Sequence, residues 1–164
     1  MPRTNLKLKA SKYDEVYTPS GVVESLRKHL PDTVKTVWCP FDTASSNIVK
    51  DLVTSGYTVI YSHIKDGKDF FNWEPEEDYD MIISNPPYSN KNEIIKRCNE
   101  LKKPWAMLMP LDVLCGTKRF LLTADAGVIT IAHRIDFTGG GANWFYNCWL
   151  CSWKEIANKW IKEM

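Results

Sequence analysis

The sequence predicts an α/β protein, a three-layer sandwich with helices on both sides of a mainly parallel sheet. Three observations carry this. Short apolar runs of strand length alternate with stretches of helical spacing, the order expected of strand–helix–strand units. The run Met81-Ile82-Ile83 is continuously apolar, as a strand covered on both faces must be. Of the 164 residues, 44% are apolar, and they include seven Trp, enough bulk to fill a core between layers.

Composition also excludes several classes. With 21 Lys+Arg against 20 Asp+Glu, the net charge of +1 cannot coat nucleic acid by displacing counterions wholesale, so any nucleic-acid contact is local. No 18-residue apolar stretch is present and the opening MPRTNLKLKA lacks the apolar run of a signal peptide, so a cytoplasmic protein without a membrane partner is expected. The five Cys are odd in number and mostly sit in apolar segments, as reduced core thiols do. Cys148 and Cys151 form a C-x-x-C, but on a predicted strand, where positions three apart face opposite sides; with no second Cys or His pair nearby, no metal is expected. A single domain is expected over 1–164, with 1–12 as a flexible basic arm carrying Arg3, Lys7, Lys9 and Lys12.

Thr18 and Pro19 read as a helix cap and first-turn proline, followed by Val22, Val23, Leu26 and Leu30 at helical spacing until Pro31. Thr36 to Trp38 is a short strand, Ser46 caps a helix through Ile48, Val49, Leu52 and Val53, and Gly56 closes it before the strand Tyr57 to Tyr61. The strand Tyr79 to Ser84 ends at Asn85-Pro86-Pro87-Tyr88. Asn90 with Glu93 forms a capping box for a helix through Ile94, Ile95, Cys98 and Leu101, which leads to a strand from Trp105 to Met109. Two further strands, Val128 to Ala132 and Asn143 to Trp153, flank the turn Gly139-Gly140-Gly141, and Ser152 to Met164 is expected to close the chain as a helix.

Ligands of open α/β sheets bind beyond the carboxyl ends of the strands, so the residues just after each strand are the candidates for function. These are Pro40-Phe41-Asp42, Ser62-His63, Asp69-Phe70-Phe71 in the following connection, and Asn85-Pro86-Pro87-Tyr88. Two consecutive prolines remove two N–H donors and stiffen the chain, so the Pro86 carbonyl can aim at a ligand beside the Asn85 side-chain oxygen. A planar exocyclic amine offers two hydrogens to such a pair, and Tyr88 offers a flat face for its heterocycle. A plain proline turn with an aromatic packed on it is the competing reading.

At these residues the chain resembles S-adenosylmethionine-dependent amino-methyltransferases, most closely small phage-type adenine-N6 DNA methyltransferases. Asn85-Pro86-Pro87-Tyr88 matches their catalytic motif, and Tyr17-Thr18-Pro19 matches a motif found N-terminal to the cofactor site in one subgroup. The resemblance runs from about Tyr17 to Trp153, with Asp69-Phe70-Phe71 and a late Arg134-Ile135-Asp136-Phe137 strand in order. It implies a Rossmann-like methyltransferase fold with one antiparallel C-terminal strand, and methyl transfer to the N6 amine of adenine in DNA. The cofactor would be S-adenosylmethionine, with no metal.

The resemblance also implies roles. Asn85, Pro86, Pro87 and Tyr88 would hold the reacting base, with Phe41 or Trp144 covering its other face. Asp69 would accept a hydrogen bond from the cofactor's adenine amine and Phe70 would pack on its purine. Thr18, Pro40, Phe41 and Asp42 would lie by its methionine part, Asp42 pairing with the ammonium, and Tyr17, Pro19 and His63 would also line the cofactor site. His63 stands where the family places an acidic residue for the ribose, and the loop from Pro40 to Ser46 lacks the family's glycines. DNA is the expected partner ahead of RNA. Because 164 residues leave only loops, the N-terminal arm and the segment Asp112 to Arg119 for target reading, specificity is expected to be low or supplied by a protein partner or self-association. Methylation of RNA or of a protein amide by the same corner, or a non-catalytic binding module on this fold, are the alternative functions.

Overall fold

The computed structural model describes residues 18–141 and 145–163. Tyr17, Trp144 and the basic arm over 1–12 lie outside the described residues. In chain order the elements are α1 (Glu24–Arg27), β1 (Thr36–Cys39), α2 (Asn47–Thr54), β2 (Thr58–Tyr61), β3 (Met81–Ser84), α3 (Lys91–Leu101), β4 (Trp105–Pro110), α4 (Thr117–Leu122), β5 (Gly127–Ile131), β6 (Asn147–Cys151) and β7 (Trp160–Glu163). The strands form a sheet in the order β2-β1-β3-β4-β6-β5-β7. β2, β1, β3 and β4 pair in parallel, β5 and β7 pair in parallel, and β6 runs antiparallel to both β4 and β5. One reversed strand in an otherwise co-directional sheet is the architecture expected.

Strand alternation sends side chains to two separate cores. Val37 and Cys39 of β1 face the layer of α1 and α2, where Leu26, Ile48 and Leu52 cover them. Trp38 and Ile82 face the opposite layer, packed with Ile94, Ile95 and Cys98 of α3. Each of these apolar side chains, removed from water, contributes roughly 1.5–3 kcal/mol, which holds short four-residue strands in place. Cys148 and Cys151 fall into different cores, as their spacing on a strand demands.

Several sequence expectations are corrected. The tail is not a helix: 153–158 turns, Asn158 takes φ +59°, and β7 pairs with β5. Left-handed Asn interrupts any helix there, and sheet pairing satisfies the backbone instead. Arg134 to Phe137 forms no strand. It leads into a loop in which the Asp136 carboxylate accepts the N–H groups of Thr138, Gly139 and Gly141. The last long strand shortens to β6, and no side chain caps α3 at Asn90, so the capping box does not form. The first helix is one turn, and Thr18, six residues before it, does not cap it. Ser46 does occupy the cap position of α2, yet its hydroxyl accepts from the Thr43 N–H at 3.0 Å.

Candidate active site

From β1 the chain passes to β2 on one side and then to β3 on the other, so the connections part beyond the carboxyl ends of β1 and β3, the place where open α/β sheets receive their ligands. The loops after β1 and β3 border it. Because β6 is reversed, its first residue lies at this same edge, opposite Pro110 at the end of β4.

Asn85 leaves β3 at this edge. Its Nδ2 donates to Thr18 Oγ1 at 3.1 Å, joining two sequence motifs 67 residues apart. Thr18 is itself held: Asn47 Nδ2 donates to its carbonyl at 2.9 Å, and Asp51 accepts from the Gly21 N–H at 2.8 Å. Side chains of α2 thus hold Thr18, Pro19 and Ser20 against the Asn85 corner. Pro86 is buried, and Pro87 in extended conformation starts a single 3-10 turn, Tyr88–Asn90, that carries the Tyr88 ring. The Tyr88 phenol receives a hydrogen bond from Asn147 Nδ2 at 2.9 Å, and its ring meets Phe145 edge-on at 6.0 Å. Burial pushes that phenol well above the ordinary tyrosine range, so it stays neutral.

The loop after β1 shows why it can dispense with glycine. Among the described residues the non-glycine positive-φ positions are Lys102 and Asn158, neither in this loop, so no residue between Pro40 and Ser46 needs glycine's freedom. Hydroxyls tie it instead, Thr43 Oγ1 to Ser45 Oγ at 2.9 Å and the Thr43 N–H to Ser46. Asp42, 6% exposed, turns inward: Ser84 Oγ donates to it, Ser46 bonds it too, and the Phe41 N–H donates to Ser84 Oγ at 3.3 Å. Burial outweighs these bonds and pushes its carboxyl up to about 6.

Asp69 folds onto its own loop, accepting from the Phe71 N–H at 3.1 Å and from Asn72 Nδ2 at 3.2 Å. Phe70 is buried between Phe41 at 4.9 Å and Trp38 at 5.5 Å, while its neighbour Phe71 stands 37% exposed. His63 caps a 3-10 turn, its Nδ1 accepting from the Lys65 N–H at 3.1 Å. Pro40, Phe41 and Asp42 therefore lie within one short loop beside Ser84, and Phe70 joins them through Phe41. Arg119 is engaged by Asp112, which also receives Lys91, and Lys118 is exposed.

Two residues of the site escape sequence reasoning. Ser84 looks like the end of a strand, yet its hydroxyl couples Asp42 to the β3 corner. Asn147 is a fully buried polar residue opening the apolar strand Cys148-Trp149-Leu150-Cys151, and that polar intrusion was its signal.

No protein-family model matches the sequence, and no curated protein matches it. Among solved structures, the chain is similar in fold to a protein described as a modification subunit of a type I restriction enzyme from Vibrio vulnificus YJ016, with a TM-score of 0.51 and 11% identity over 93% of this chain. The chain spans about half of that subunit, 48% of its length. A weaker likeness, with a TM-score of 0.41 and 12% identity, links 90% of this chain with 69% of a protein described as a methyltransferase from Thermoplasma acidophilum. Among the described residues, no helix is long and apolar enough to cross a membrane.

Proposed function

We propose that this chain transfers a methyl group from S-adenosylmethionine to the N6 amine of adenine in DNA. The observation that carries the reading is the bond between Asn85 and Thr18, which brings both resemblance motifs together at the place where the sheet's connections part. The fold shared with a protein described as a restriction enzyme's modification subunit supports it.

The donor set suits the cofactor. Exposed Phe71 offers an aromatic face, Asp69 carries acceptors in the same loop, and Asp42 lies beneath the loop where an ammonium would seat. When bound, S-adenosylmethionine supplies an electrophilic methyl group on sulfur. The protein's part is to make a poor nucleophile competent. The Asn85 side-chain oxygen, buried in this structure, and the Pro86 carbonyl accept the two amine hydrogens once the base has entered, so the lone pair is drawn out of the ring and toward the methyl. With Nδ2 engaged by Thr18, the Asn85 oxygen lies on the other edge of the amide, and the donor edge is held away from the amine. Tyr88 stacks the base, which leaves its duplex to reach the site.

Calorimetry with S-adenosylmethionine and transfer of labelled methyl into DNA, tRNA and protein pools test this together. Micromolar binding with label in DNA adenine is the expected result. Label in tRNA or protein would reassign the substrate, and no binding at millimolar cofactor would leave a non-catalytic module. Asn85→Ala is expected to abolish transfer and leave cofactor binding nearly intact; equal loss of both would overturn the role given to Asn85.

A further inference from the structure

Tyr88 follows β3, and Asn147 opens β6, with β4 lying between those two strands in the sheet. The 2.9 Å bond from Asn147 Nδ2 to the Tyr88 phenol oxygen therefore crosses the carboxyl end of β4. It anchors the tip of a side chain whose base sits on the diproline corner. Phe145, two residues before Asn147, sets its ring 6.0 Å away at 76° and braces the same tyrosine from the side.

The anchor is a poor choice for stability alone. Asn147 is 0% exposed, and its Oδ1 has no hydrogen-bond partner among the described residues. Rotating the amide would let the phenol donate to Oδ1, but Nδ2 would then be stranded. Either way one buried amide atom goes unmatched, which is destabilising, whereas an apolar pair of the same size leaves nothing unmatched. A group retained against that cost acts through what it holds.

We propose that Asn147 is a positioning residue that fixes the Tyr88 ring as the platform for the target base. This rests on the methyl-transfer reading above. A tyrosine pinned at both ends keeps one tilt, so the stacked purine meets the site in one pose and its amine stays in line with the donor. Freed at the tip, the ring swings and the base samples unreactive poses. Cofactor binding, assigned above to the loop after β1 and to Asp69 and Phe71, does not use the anchor.

The test is a double-mutant cycle of Asn147→Leu, Tyr88→Phe and the pair, read in kcat for methyl transfer to DNA, in cofactor Kd and in thermal unfolding. Each single change is expected to lower kcat about tenfold, and the pair no further, because both remove the same bond. Cofactor Kd stays within twofold. The paired variant, which leaves neither polar group unmatched, is expected to unfold at or above the wild-type temperature while remaining tenfold slower. A merely structural asparagine would lose stability and activity together. Additive kcat losses, Tyr88→Phe at wild-type rate, or a paired variant with full activity would each overturn the role. A wild-type protein that methylates no DNA would instead remove the reading beneath it, and this role with it.

Discussion

Ser84 at the end of β3 donates its hydroxyl hydrogen to the buried carboxylate of Asp42, so the loop after β1 is tied to the end of the neighbouring strand. Burial raises the Asp42 pKa from 3.8 to about 6 despite that bond. The folded state thus holds the proton more tightly than the unfolded chain. The stability this adds is complete below about pH 4 and is lost as pH rises through 6. At pH 8 the ionised group costs roughly 3 kcal/mol, the shift converted at about 1.4 kcal/mol per unit. Asp42→Asn is therefore expected to unfold at a higher temperature than wild type at pH 8 and at the same temperature at pH 4. Thermal melts across that range decide it, and a less stable variant at pH 8 would sink the assignment. If ionised Asp42 receives the cofactor's ammonium, wild-type affinity rises through pH 6 and the variant's does not.

Thr18 gives a second prediction, since its hydroxyl accepts a hydrogen bond from the Asn85 amide. Thr18→Ala removes an interaction of about 1 kcal/mol that bears on the reacting group, so kcat should fall roughly five- to tenfold. Thr18→Ser keeps the oxygen and should work at near wild-type rate. Steady-state kinetics of the two variants separates the hydroxyl from the methyl group, and equal loss in both would assign the effect to packing.

Phe70 and Phe71 are adjacent, with opposite surroundings, and should respond differently. Phe70 is 2% exposed among Trp38 and Phe41, so Phe70→Ala should cost about 3 kcal/mol of stability through the cavity it leaves. Phe71 is the ring open to solvent, and Phe71→Ala should change stability by less than about 0.5 kcal/mol while weakening cofactor binding severalfold. Melting curves with calorimetry on both variants check this, and the reverse pattern would return the cofactor face to Phe70.

The β3 corner was legible because a buried strand needs an apolar run and two prolines end any ladder, so Met81 to Tyr88 can be read with no neighbour in view. The parallel pairing up to β4 accords with the same alternation of strand and helix, whereas the order of the strands was not legible. The bonds that assemble the site were not legible, because they join residues 67, 59 and 42 positions apart: Asn85 to Thr18, Tyr88 to Asn147 and Ser84 to Asp42. Nothing local distinguishes Ser84 from a solvent-facing serine. The tail misled for a different reason. Trp153, Ile156, Ala157 and Trp160 recur every three or four residues and imitate a helical stripe, yet the open edge of β5 captures the chain as a strand.

That capture depends on one residue without a side chain. Gly127 opens β5 where the turn before β7 crosses it, and a Cβ placed there would lie 2.0 Å from the Ile156 carbonyl oxygen and 2.8 Å from its carbon. These are main-chain atoms that cannot swing away, so Gly127→Ala must push the turn off the sheet and strain the β5 to β7 pairing. Overpacking of this kind typically costs 1–3 kcal/mol, and a backbone clash belongs at the top of that range, about 3 kcal/mol and roughly 6–12 °C in Tm for a chain this size. Adding Ile156→Ala relieves the 2.9 Å side-chain contact but leaves the main-chain one, so it should not restore stability. The candidate site lies at the opposite end of the sheet, beyond the carboxyl ends of the strands, so cofactor affinity measured well below the lowered Tm should match wild type. A Gly127→Ala protein that melts with wild type would show that the turn does not sit against β5, and β7 would then have to be placed elsewhere.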